Sequence, residues 1–112
     1  MTTRMKLAHI DDADHATPDR FVVMPLVVGD RSSMRLIRLA PGQALPLHRH
    51  GQSDLMLYVA DGVGELGPPG ESIGFERGAL AYLRSDEELH VRNSGSGEMT
   101  LLAFLAPRPV AT

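Results

Sequence analysis

The stretch Gly42-Gln43-Ala44-Leu45-Pro46-Leu47-His48-Arg49-His50 follows directly on Pro41, so that a Pro-Gly turn leads into two imidazoles set two residues apart. On an extended segment, side chains at i and i+2 leave the same face, and both rings would then point at one spot. Neutral imidazole is a common ligand for divalent transition metals, and two rings fixed on one strand are half of a typical site. The same pair can act as hydrogen-bonding or acid/base groups of a pocket with no metal at all. His-x-His alone does not choose between these readings. Its surroundings have to.

Outward from this stretch the punctuation is regular. Apolar segments at 21–28, 33–39, 54–60, 79–83 and 98–106 are separated by Gly29-Asp30, Ala40-Pro41-Gly42, Asp61-Gly62, Pro68-Pro69-Gly70, Arg77-Gly78 and Asn93-Ser94-Gly95. Short strands at this spacing, with Gly and Pro at the turns, predict an all-β sandwich or barrel. No long window keeps a helical period without a Gly or Pro inside it. Pro25 removes a ladder hydrogen bond, so 21–28 is expected to be an edge strand or to carry a bulge. Residues 1–20 are polar, with Asp11, Asp12, Asp14 and His15 ahead of Thr17-Pro18. They read as an irregular arm with at most one short strand, leaving 21–112 as a single domain.

With 112 residues the chain has room for one hydrophobic core. It carries 11 basic and 14 acidic residues, a formal charge of −3, and no basic block. That excludes the usual electrostatic footprint of a nucleic-acid binder. The longest apolar run, Phe21 to Val28, is interrupted by Pro25 and far short of the roughly 20 residues a membrane helix needs. Neither nucleic acid nor membrane is therefore expected as a partner. Cysteine is absent, which removes disulfides, thiolate nucleophiles and Cys-ligated zinc. Arg4, Lys6 and His9 break up the first ten residues, which do not read as a secretory signal. The expected location is cytoplasmic.

From about Met34 to Ala106 the sequence resembles the cupin family. The family's first motif is a Gly, five residues, His-x-His, three or four residues, Glu, six residues, Gly; here Gly42, His48, His50 and Gly62 match it. The second is Gly, five residues, Pro-x-Gly, two residues, His, three residues, Asn; here Gly78 and Asn93 match at the correct separation. The resemblance implies a jelly-roll barrel of six to eight strands with a central pocket, in a small single-domain protein of the RmlC-like type. It also implies a metal held by two His, a Glu and a later His. Counted from Gly62 the Glu position is Leu55, and counted from Asn93 the later His position is Leu89. Arg84 and Asp86 stand where the second motif has Pro and Gly.

Each of these leucines has a potential ligand beside it, Asp54 before Leu55 and His90 after Leu89. Strand parity decides which of the two faces inward. If Leu55 faces the pocket, so do Leu57 and Val59, while Asp54, Met56 and Tyr58 face out. With Asn93 in the family register, Leu89 and Val91 point in, while His90 and Arg92 point out. The reverse register would bury Arg92 without a partner, at a cost of several kcal/mol. The expected pocket is therefore apolar, lined by Leu55, Leu57, Leu89 and Val91. A β-bulge re-aiming Asp54 or His90 is the alternative. With Asp54 turned inward, His48, His50 and Asp54 would form a two-His-one-carboxylate set of the kind used by non-haem iron enzymes, and with His90 turned inward it would be a further metal ligand beside His48 and His50.

Arg35 falls on the face of Leu39, and from inside the pocket it could fork a substrate carboxylate. The plainer reading is a solvated arginine at a strand end or a dimer edge. Tyr58 and Tyr82 are more economically read as packing groups than as proton donors. Two functions remain in view. One is a small-molecule enzyme with isomerase, cyclase, lyase or oxygenase chemistry, using His48 and His50 as catalytic groups and holding a divalent metal (Zn, Fe, Mn or Ni) weakly or not at all. The other is a binding or sensing module without metal. Met56 and Tyr58, with Leu36, make an apolar outer face, and a homodimer is expected to cover it.

Overall fold

Strands form along the apolar runs and the chain turns where Gly and Pro interrupt them. The computed structural model describes residues 5–46 and 49–108. Its strands are β1 (Val22–Val28), β2 (Ser33–Leu39), β3 (Asp54–Asp61), β4 (Val63–Leu66), β5 (Ile73–Glu76), β6 (Leu80–Leu83), β7 (Val91–Asn93) and β8 (Met99–Ala106). The one helical element among the described residues is a short 3-10 turn, Ile10–Asp12. A five-stranded sheet in the order β1-β2-β8-β3-β6 faces a three-stranded sheet, β5-β4-β7. All pairings are antiparallel. This is an all-β jelly roll whose two sheets are not hydrogen-bonded into a closed barrel. No helix among the described residues is long and apolar enough to cross a membrane.

β1 is an edge strand, and its pairing with β2 slips between Pro25 and Val27, so the proline has both the edge and the irregularity its missing N–H requires. β4 and β5 were not among the expected strands. Gly64, Glu65, Gly74 and Glu76 break up their apolar pattern, and β4 is held by its position rather than its propensity. A Cβ on Gly64 would come within 2.5 Å of the Met99 Cε and 2.6 Å of the Arg92 carbonyl oxygen, so only glycine lets the small sheet close down on β8.

On the inner face of the five-stranded sheet the register lays down rows of side chains. Leu105 pairs with Leu55, and Leu55 with Leu83; Ala103 lies opposite Leu57 and also opposite Arg35. Farther along, Ile37 and Val59 both flank Leu101, and Leu39 pairs with Met99. With Leu89, Val91, Phe75 and Leu45 these residues form one hydrophobic core. Burying a leucine of this kind contributes about 2 kcal/mol. The core is tightest around Leu39, Val59, Met99 and Leu101, all fully buried.

That end of the molecule is also where polar atoms are most completely paired. Asn93, fully buried, donates from Nδ2 to the Leu39 and Gly97 carbonyls (2.8 Å each) and accepts from the Gly95 N–H (2.9 Å). Its backbone binds Gln43 and Gly42, which ties β7 to the Pro41-Gly42 turn. Arg38 lies on the outer face of β2 and is nonetheless buried. Its guanidinium donates to the carbonyls of Ala13 (2.8 Å), Asp14 (3.0 Å) and Ile10 (3.1 Å) and to the Thr100 hydroxyl (3.3 Å). Glu98 completes the clasp by accepting from the Ala16 N–H and the His15 ring, both at 2.8 Å. The N-terminal arm is thus pinned across the outside of the sheet. Leu36, on that same outer face, is already fully buried within one chain, so the apolar surface left for a partner centres on Met56 and Tyr82 instead.

Candidate functional site

At the opposite end of the five-stranded sheet the core opens into a cavity of about 550 Å³. Its floor is aliphatic: Ile37, Leu45, Leu55, Leu89, Ala103 and Leu105. Its polar lining comes from the buried His50 and Ser53, the half-buried Arg35 and, at the exposed rim, Arg49 and Arg108. Volume and lining are those of a site for a small organic molecule.

His50 enters from a loop rather than a strand. Residues 49 and 50 are irregular, and a turn at Gly51 and Gln52, with Gly51 at φ 66°, closes through a Ser53 N–H to His50 carbonyl bond of 3.2 Å. No strand pairing holds residues 49 and 50, so no ladder fixes the faces of the His-x-His segment over its described part. His48 lies outside the described residues. His50 is nine-tenths buried, and its Nδ1 lies 2.6 Å from the Ser53 carbonyl oxygen. A carbonyl can only accept, so Nδ1 carries a proton, and in the neutral tautomer the lone pair is on Nε2. That Nε2 is buried and has no hydrogen-bond partner among the described residues. Ser53, itself buried, donates its hydroxyl to the Pro107 carbonyl and so fixes the loop to the end of β8.

Leu55, Leu89 and Arg35 all line this cavity. Leu57 and Val91, also expected in the pocket, are buried in the core and are not among the residues that line this cavity. Leu57 sits one row deeper on β3. On the side of Val91 the wall is made by Leu45, whose N–H binds the Val91 carbonyl at 3.0 Å. Leu45, Arg49, Ser53 and Arg108 were not singled out from sequence. They come from irregular segments, where no periodicity tells inward from outward.

Asp54 and His90 are not brought to His50. Asp54 is exposed and lines a separate surface depression with Met34, Met56 and Phe104 on the outer face. There its carboxylate stands against Tyr82, whose hydroxyl is raised above its ordinary pKa by desolvation and then by the charge and hydrogen bonding of Asp54. His90 lines a third depression with Glu65, Ser72 and Arg92. The slip in β3 pairing falls between Val59 and Asp61, too late in the strand to re-aim Asp54. Among the described residues no three His, Asp or Glu side chains are grouped to hold a metal ion.

The profile of the cupin domain matches residues 35–105, nearly two-thirds of the chain. The chain belongs to the cupin family. No sequence among the curated proteins matches this cupin. Solved structures similar to it include TT1209 from Thermus thermophilus, 27% identical, with a TM-score of 0.81 over 94% of this chain and 100% of that one. An RmlC-like cupin from Desulfovibrio desulfuricans is 26% identical, with a TM-score of 0.79 over 93% and 98% of the two chains. An RmlC-like cupin from Methanocaldococcus jannaschii, 21% identical with a TM-score of 0.76 over 96% and 95%, shares the fold.

Among the described residues the donors do not make up the metal set that this family implies. At two of the four ligand positions stand Leu55 and Leu89, buried side chains with no lone pair. Their polar neighbours face other surfaces. His50, with its proton held on Nδ1, offers one good nitrogen, and structural or catalytic sites need at least three protein ligands.

Proposed function

We propose that this cupin is a small-molecule enzyme of the isomerase or lyase kind, in which His50 moves a proton at a ligand held in the apolar cavity. The observation that carries this is the His50 Nε2 atom: buried, unpartnered among the described residues, and carried by a ring that lines the cavity. A buried acceptor left without a partner costs about 1–3 kcal/mol, which a ligand O–H or acidic C–H would relieve. The Ser53 carbonyl fixes the tautomer and orients the ring, as the third member of a nucleophile–base–orienter set does elsewhere. His48, two residues before it in the sequence, is assigned a share in this acid/base work. Imidazole is the side chain most used for such transfers near neutral pH.

Proton transfer leaves a trace that does not require the substrate to be known. Carbonyl compounds with an acidic C–H, incubated with the protein in D2O and chelator, should lose that proton's NMR signal, and His50→Gln should abolish the exchange. Exchange that the chelator stops would contradict the assignment. Ligand binding with no exchange in any compound would favour the second reading, a binding module, which the two leucines at ligand positions support.

A further inference from the structure

The charged residues on the cavity wall are all cationic. Arg35, Arg49 and Arg108 line it, and no Asp or Glu among the described residues does. Arg35 stands on the inner face of β2, half-buried, opposite Ala103, whose small side chain leaves room above the sheet. Among the described residues its guanidinium makes no hydrogen bond and no ion pair. Arg38, three positions along the same strand, makes four hydrogen bonds. Arg49 has one loose contact, 3.7 Å to Glu88, between side chains 67% and 39% exposed. Such a pair is readily exchanged for a better one. Arg108 is exposed at the rim, where β8 ends.

A half-buried guanidinium above a leucine floor is an unmet demand for an anion, and its planar fork matches a carboxylate. Below it the wall turns aliphatic, so an anion alone would leave the cavity unfilled. We infer that the cavity selects an organic carboxylate with an apolar body. The carboxylate is forked by Arg35 near the mouth, with Arg49 and Arg108 drawing it in, and the body rests on Leu55, Leu89 and Leu105. This rests on the reading that the cavity is the functional site, and it names the class of ligand.

The test is titration of the methyl-labelled full chain, followed by NMR, with phenylacetate and hexanoate and with the uncharged amide of each. Carboxylates should shift the methyls of Leu55, Leu89 and Leu105 and bind about tenfold tighter than the amides, the scale of a charge-assisted fork. Arg35→Met should bring carboxylate affinity down to that of the amide and leave the amide unchanged. Inorganic phosphate, lacking the body, should compete at least about tenfold less well. Amides binding as tightly as carboxylates, or Arg35→Met without effect, would overturn the anion inference while the cavity remained the site. Carboxylates that shift only residues remote from the cavity would overturn both.

Discussion

β2 carries two arginines three residues apart, and the two ends of the molecule they belong to are built on opposite terms. At the Arg38 end the buried polar groups are paired: the guanidinium with three arm carbonyls and Thr100, Asn93 with Leu39, Gly95 and Gly97, and the partly buried Glu98 with His15 and Ala16. At the Arg35 end the half-buried guanidinium makes no hydrogen bond or ion pair among the described residues, and the buried His50 Nε2 and Ser33 Oγ have no hydrogen-bond partner there. Polar groups that are buried and satisfied hold a fold together, and those buried and unsatisfied cost stability, a cost tolerated at functional sites. The same residue type on one strand thus holds the arm at one end and, in the proposal above, meets a ligand at the other.

The largest effect is expected from Arg38→Met, which leaves the Ile10, Ala13 and Asp14 carbonyls without their donor. Chemical denaturation should show a loss of about 3 kcal/mol. Arg35→Met, by contrast, should change stability by no more than about 0.5 kcal/mol in either direction. Equal losses at the two positions would break the comparison. Next in size is Gly64→Ala. Its Cβ would be forced against Met99 and the Arg92 carbonyl, for about 2 kcal/mol by the same measurement.

Much of this division was legible in the sequence, and the part that was not has physical reasons. Parity along β3 gave Leu55, Leu57 and Val59 inward and Asp54 and Met56 outward, because a strand with one buried face admits one register. Spacing from Gly62 and Asn93 put leucines at two ligand positions, and both leucines stand on the cavity wall. The burial of Arg38 was not legible: alternation sent it to the outer face, and nothing in the pattern of residues 1–20 says that the arm crosses that face. Nor were Arg49 and Arg108 legible as rim residues, since one lies on the loop before Gly51 and the other beyond the end of β8, where no strand period applies. β4 was hidden because its glycine answers a close approach and not a propensity.

On the outer face, Met56 and Tyr82 stay exposed at 56% and 54%, and we propose that a second copy of the chain covers them. Light scattering at tens of micromolar should give twice the chain mass, and Met56→Glu should give a monomer; a wild-type monomer would contradict the proposal. The smallest effect is expected at Asp54. Because desolvation and this carboxylate hold the Tyr82 phenol un-ionised, the fold favours the protonated hydroxyl, an advantage present below the ordinary tyrosine pKa and lost as pH rises through the raised value. In Asp54→Asn a near-ultraviolet absorbance titration should show Tyr82 ionising at lower pH. An unchanged titration would detach Asp54 from the outer face.

The most direct test of the account is calorimetric titration of metal-free protein with Zn2+, Ni2+, Mn2+ and Fe2+, one at a time. Wild type should bind each weakly or not at all, because Leu55 and Leu89 supply no ligand. The double variant Leu55→Glu/Leu89→His, once shown to be folded, should bind at least about a hundredfold more tightly, having regained two protein ligands. A wild-type protein that takes up one equivalent tightly, and loses it in Asp54→Asn or His90→Gln, would contradict both the register of β3 and the open, metal-independent site built on it.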